Sequence, residues 1–150
     1  MKYAIFIIGL LTSFSALSES SFEYHGIKSG MSREAVNGLV GCTERCYALD
    51  YEEVEAFLGE RPPRLWGMGF SYTSDNKLWK IQLNFLEVGS GPAAVAQRRA
   101  LTELYPDAEL DTLTEKLSYG NTDYIVAQLI DSALFDADAE TIYQSEISKY

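Results

Sequence analysis

The stretch Leu78–Leu86, LWKIQLNFL, constrains the fold more than any other part of the chain. Trp79, Ile81, Leu83 and Phe85 alternate with Lys80, Gln82 and Asn84. Side chains of a strand repeat every two residues, so this pattern puts the apolar four on one face and the polar three on the other. A strand with one buried and one wet face belongs to an antiparallel sheet. Its neighbours are legible nearby. Residues 70–73 read as a short strand, joined to it by the turn residues Ser74, Asp75, Asn76 and Lys77. Residues 113–119 and 123–130 read as a second hairpin folded around Gly120 and Asn121.

Helices supply the cover. In residues 31–41, Ser32 is a fit N-cap, Glu34 sits in the first turn, and Met31 and Val36 occupy the positions of a hydrophobic staple. Val36, Leu39 and Val40 form a stripe that Gly41 closes. Residues 49–59 repeat the plan, with Asp50 as N-cap, Glu53 completing a capping box, and Leu49 stapled to Val54. Val54, Phe57 and Leu58 make its stripe, and Gly59 ends it. Residues 93–105 follow a Gly-Ser-Gly-Pro loop and turn Ala100, Leu101 and Leu104 inward. Residues 137–147 read as a last helix capped by Asp136 or Asp138. The expected fold is α+β: an N-terminal helical hairpin packed on an antiparallel sheet of about four strands, with one further helix between two hairpins. Trp79 is expected beneath the helices with Ile81, Leu83 and Phe85.

The chain has 150 residues, enough for one domain. Residues 1–18, MKYAIFIIGLLTSFSALS, carry Lys2, an apolar run through Leu11, and small residues at Ala16 and Ser18. That is the pattern of a secretory signal peptide, which leaves residues 19–150 as a single α+β domain. The apolar run is short of the ~20 residues a membrane span needs. No Cys stands at the cleavage point to carry a lipid, since the first is Cys42. The expected location is periplasmic or secreted, with neither a membrane span nor a lipid anchor. In such an oxidising compartment Cys42 and Cys46 are expected to form a disulfide that pins the linker between the first two helices. Three residues separate them, against the usual two of a redox pair.

Charge and composition exclude several functions. The net charge is −10, which argues against nucleic acid and against docking on anionic lipid. From Glu103 to the end of the chain, eleven acids face only Lys116 and Lys149, so the C-terminal third is the acidic pole. One His and two Cys are too few for a multi-ligand zinc site. Neither a phosphate-cradling Gly-x-x-x-x-Gly-Lys loop nor a Gly-x-Ser-x-Gly nucleophile elbow occurs. Asp136, Asp138 and Glu140 alternate like the start of a calcium loop, but Thr141 stands where the loop needs Gly, and Ile147 where it needs Glu. A solvated helix cap explains them better. His25 is the one residue on which a triad could turn, and an exposed polar His is its default reading. We expect no metal and no cofactor. Trp66, which follows a Pro-rich loop, and Tyr72 are the candidate partner contacts; a Trp66 that only caps the sheet edge is the plainer alternative.

The run Gly26-Ile27-Lys28-Ser29-Gly30-Met31-Ser32-Arg33-Glu34-Ala35-Val36, followed by Leu39-Val40-Gly41, resembles the opening motif of the SmpA/OmlA (BamE-like) small envelope proteins. It is also similar to the β-lactamase-inhibitor-like exported domains. The shared pattern is an apolar residue, Gly-Met-Ser/Thr, a polar pair, a Val and a closing Leu-x-Gly. The resemblance implies a helix pair on an antiparallel sheet and a non-enzymatic binding role in a bacterial envelope. This chain departs from the family in lacking a lipidation Cys and in adding a helix and a hairpin after Phe85. The expected function is protein–protein binding to an envelope or secreted partner. The alternatives are a secreted enzyme-inhibitor-like domain and a small periplasmic hydrolase using His25 or a carboxylate pair.

Intact-mass measurement on exported protein is expected to give a chain beginning near Glu19. Reduction is expected to add the mass of two hydrogens, one for each of Cys42 and Cys46. Retention of Met1, or no mass change on reduction, contradicts the reading.

Overall fold

The computed structural model of the chain describes residues 21–44 and 46–149. The leader expected over residues 1–18 lies outside them. The described chain is α+β, with strands β1 (Glu23–Tyr24), β2 (Ile27–Lys28), β3 (Ala48–Leu49), β4 (Leu65–Tyr72), β5 (Leu78–Leu86), β6 (Glu109–Leu117) and β7 (Gly120–Ile130). Its helices are α1 (Arg33–Val40), α2 (Tyr51–Leu58), α3 (Pro92–Leu104) and α4 (Ser132–Ile147). The main sheet is antiparallel and ordered β3-β4-β5-β7-β6, while β1 and β2 form a separate two-stranded ladder.

This corrects the expected architecture. The main sheet has five strands, and the two longest helices, α3 and α4, lie in the C-terminal half. No N-terminal helical hairpin forms, because β3 intervenes between α1 and α2 and pairs Ala48 and Leu49 with Gly69 and Met68 of β4. A strand of two residues is too short to show alternation, so its sequence carries no period-2 signal.

The helix ends follow local rules. Ser32 Oγ accepts from the Ala35 N–H at 3.2 Å, and Gly41 closes α1 with φ +74°. At α2 the Asp50 carboxylate accepts from the Glu53 N–H at 3.0 Å while Glu53 accepts from the Asp50 N–H at 2.8 Å. Each reciprocal bond satisfies a donor that a helix end otherwise orphans.

The core lies on one face of the sheet. Ile81 stands between Phe70 and Leu129, Leu83 between Met68 and Ala127, and Phe85 between Leu65 and Ile125. Val36 and Val40 of α1, Val54 of α2, Leu101 of α3, and Phe22, Tyr24 and Ile27 of the small hairpin cover this layer.

Trp79 departs from its expected place. Between the Ser71–Lys80 and Tyr72–Leu78 pairs β5 advances two residues for one on β4, so Trp79 is the extra residue of a β-bulge. The bulge reverses the alternation. Leu78 turns inward and is fully buried, while Trp79 is half-buried and lies against Phe135 of α4 with ring centroids 4.5 Å apart.

Two boundaries also differ from expectation. The second hairpin turns at Ser118 and Tyr119, two residues early, because Leu117 already pairs with Gly120. Helix α4 starts at Ser132, capped by Asp131, whose carboxylate accepts from the Leu134 N–H at 3.0 Å. Neither Asp136 nor Asp138 is the cap: Asp138 binds the N–H and hydroxyl of Ser74 and ties α4 to the β4–β5 turn.

Ile81→Ala is expected to cost about 2–5 kcal/mol in urea unfolding, as deletions in a closed core do. Trp79→Ala should cost less than Ile81→Ala, because part of its surface is already wet. The reverse order would show that the bulge is misplaced.

Candidate functional site

Trp66 is the extra residue of the second bulge in the same ladder. Here β4 advances two residues for one on β5, between the Leu65–Phe85 and Gly67–Asn84 pairs. Bulges re-aim side chains. Leu65 stays in the core, whereas Trp66 is 45% exposed. Its ring meets Tyr51, the first residue of α2, at 5.0 Å between centroids. The Arg61 guanidinium lies 3.5 Å from the Tyr51 ring centroid, and its Nη1 donates to the Leu65 carbonyl at 2.6 Å. Trp66, Tyr51 and Arg61 therefore form one braced stack on the backbone of β4.

Tyr72 belongs to a second cluster. The Arg33 guanidinium sits between Tyr47 and Tyr72, at 4.6 and 5.0 Å from their ring centroids. Tyr47 is 50% exposed and Tyr72 is half-buried. Burial pushes the Tyr72 hydroxyl up to about 12, against the opposing pull of Arg33. Its phenol is thus neutral at physiological pH while Arg33 keeps its charge.

The two sequence candidates, Trp66 and Tyr72, share β4 but do not meet. Six residues separate them, roughly 20 Å of strand. Each instead recruits a tyrosine and an arginine that the sequence reading left out. Tyr47 and Tyr51 flank β3, so the short edge strand sets the spacing of the two clusters. Gly67 permits the close approach, since a Cβ there would stand 3.1 Å from the Leu49 carbonyl. Cys42 and Cys46 lie at disulfide distance, with Cα atoms 6.3 Å apart, in the connection leading to Tyr47. Asn37 Nδ2 donates to the Glu44 carbonyl at 2.8 Å and holds the same loop.

The remaining candidates sit apart from this flank. His25 occupies the β1–β2 turn with φ +48°, followed by Gly26 at +85°. Paired positive φ values suit a two-residue hairpin, so His25 has a structural place there. Its ring meets Tyr24 and Phe57 edge-on, and the hydrogen bonds among the described residues do not include that ring. Asp136 and Glu140 lie along α4, where a continuous helix cannot wrap an ion as a loop does. A cleft of about 620 Å³ lies beside the N-terminus of α3. Arg64 lines it, but its guanidinium already donates to the Leu86 and Glu87 carbonyls at 2.8 and 3.1 Å. Among the described residues, no helix is long and apolar enough to cross a membrane.

Comparison of the chain with protein-family models, curated proteins and solved structures returns no match. The resemblance carried by residues 26–41 therefore rests on those residues alone.

Stability is expected to fall as pH rises above about 10. Burial also raises Tyr24, with Tyr105 beside it adding to the shift. Above the ordinary tyrosine value of 10.0 the unfolded chain releases protons that folded Tyr24 and Tyr72 retain, so the unfolded state gains. The contribution is fully present below that value and is lost as pH climbs toward 12. Urea unfolding at about pH 9 and 11 checks this, and Tyr72→Phe should shrink the difference. Equal stability at both values contradicts it.

Proposed function

We propose that this chain is an exported, non-enzymatic binding domain of a bacterial envelope, which grips a protein partner through the flank centred on Trp66. The presentation of Trp66 carries the reading. An exposed Trp loses little entropy on binding when its ring is already braced, and aromatic and Arg anchors dominate the energetics of protein contacts. Trp66 is braced by Tyr51, and Tyr51 by Arg61. Tyr47 and Arg33 extend the same chemistry along the β3 edge. The likeness of residues 26–41 to the SmpA/OmlA motif supports an envelope role. The cysteine pair and the apolar run of residues 4–11 support passage into an oxidising compartment, periplasmic or secreted. The edge-on packing of His25 favours binding over hydrolysis.

The test uses exported protein with a photoreactive phenylalanine analogue at position 66 to capture the partner, followed by affinity measurement with purified variants. Trp66→Ala is expected to weaken binding about 30-fold, the loss of a hot spot of ~2 kcal/mol. His25→Ala is expected to leave affinity and cellular complementation unchanged. An unchanged affinity for Trp66→Ala removes the proposed contact. Loss of complementation by folded, exported His25→Ala returns the hydrolase reading.

A further inference from the structure

Helix α4 presents its larger apolar residues to water. None of its sixteen residues is buried. The side turned to the body offers Leu134, Ala137, Asp138 and Thr141 to the β4–β5 turn. Phe135, Ile142, Tyr143 and Ile147 are exposed, Ile142 by 47%. At 3.6 residues per turn these four and Ala139 fall within an arc of roughly 140°. Asp136, Glu140 and Glu146 stand in or beside that stripe. A continuous exposed stripe of this kind marks a surface that another surface covers.

The same chain carries a receptor of matching chemistry. A groove of about 220 Å³ runs between α3 and the Pro62-Pro63 loop. Phe85 and Leu101 form its buried floor, and Leu104, 68% exposed, stands on its wall. Arg64 lines the groove, and Arg61 precedes Pro62. Thus an apolar helix edged with carboxylates and an apolar groove edged with guanidinium groups occur in one molecule.

Their positions decide which copy supplies which part. The Asp131 N–H, at the cap of α4, donates to the Trp79 carbonyl near the start of β5. Arg64 Nε donates to the Leu86 carbonyl at the other end of the strand. Nine residues of β5 separate these ends by about 30 Å. We infer that the chain associates head to tail, with the apolar stripe of α4 from one copy seated in the α3 groove of the next.

Symmetric α4–α4 pairing would instead bring Asp136, Glu140 and Glu146 near their own copies, which like-charge repulsion opposes. The net charge of −10 also repels copies at long range, so the contact is weak and shows at high concentration. A head-to-tail contact that does not close on itself gives open chains of copies.

Sedimentation equilibrium on the mature protein tests this, over about two decades of concentration around 100 µM. The weight-average mass is expected to rise with concentration. Ile142→Glu on the helix and Leu104→Glu on the groove wall should each weaken association by about 30-fold or more. Both residues are exposed, and matching circular dichroism spectra confirm that the variants fold. An equimolar mixture of the two variants should associate again and stop at dimers. One variant keeps the groove and the other keeps the helix, so a single good contact remains. A wild-type mass that stays monomeric throughout overturns the inference. So does association that survives Leu104→Glu, which would mean helix–helix pairing, and so does a mixture that stays monomeric.

Discussion

Leu78, Ile81, Leu83 and Phe85 are almost wholly withdrawn from water, and each needs a neighbour on both sides and a cover above. Full burial of such side chains is worth about 1.5–3 kcal/mol each. Strands β4 and β7 supply the flanks in register, and the cover is assembled from single contributions. Helix α1 gives Val36 and Val40, α2 gives Val54, and α3 gives Leu101. Eight-residue helices with one or two buried side chains are marginal by themselves. That explains the care taken at their ends, with Ser32 and the Asp50–Glu53 box satisfying donors that so little burial could not offset.

The same strand shows how far the sequence could be read. Its limits and the burial of Ile81, Leu83 and Phe85 follow from side-chain alternation alone. The inward turn of Leu78 does not. It depends on a slip of one residue against β4, and a slip is a property of two strands, visible in neither by itself. The two-residue strands β1, β2 and β3 are silent for a related reason, since tertiary pairing defines them and no period can develop. Helix caps at Ser32 and Asp50 were legible because donor and acceptor lie within three residues. The cap of α4 was missed because Asp131 directly follows the apolar run of β7, while Asp136 and Asp138 look equally fit. Only the distant bond to Ser74 reveals that Asp138 is otherwise engaged.

At the candidate site the aromatic residues were legible and their partners were not. Trp66 and Tyr72 stood out as large aromatics near a strand. Arg33 and Arg61 read as ordinary surface charges, yet each guanidinium is stacked on tyrosine. Stacking of this kind follows from the path of β3, which carries Tyr47 at one end and brings in Tyr51 at the other. The resulting molecule is polarised. The β3 side concentrates aromatics and arginines, while β6 at the opposite edge carries Glu109, Asp111 and Glu115 on one face of the sheet. A charged free edge resists pairing with a second sheet, so that side is guarded against indiscriminate strand addition.

Both tryptophans occupy bulges in the β4–β5 ladder, and their neighbours give them different roles. The bulge at Trp79 turns the ring toward α4, where Phe135 meets it and the Lys80 ammonium stands 5.1 Å from the ring centroid. Trp79 is thereby consumed in fastening α4, together with the bond from Ser74 to Asp138. The bulge at Trp66 lies at the other end of the ladder, where Tyr51 braces the ring and leaves nearly half its surface open. One irregularity thus secures an appendage and the other presents an anchor. Regular alternation would have pointed Trp79 into the core and displaced Leu78. At Trp66 the extra residue lets the aromatic face outward while Leu65 and Met68 on either side both remain in the core. The bulges reconcile an unbroken apolar layer on one side of the sheet with two large aromatics turned away from it.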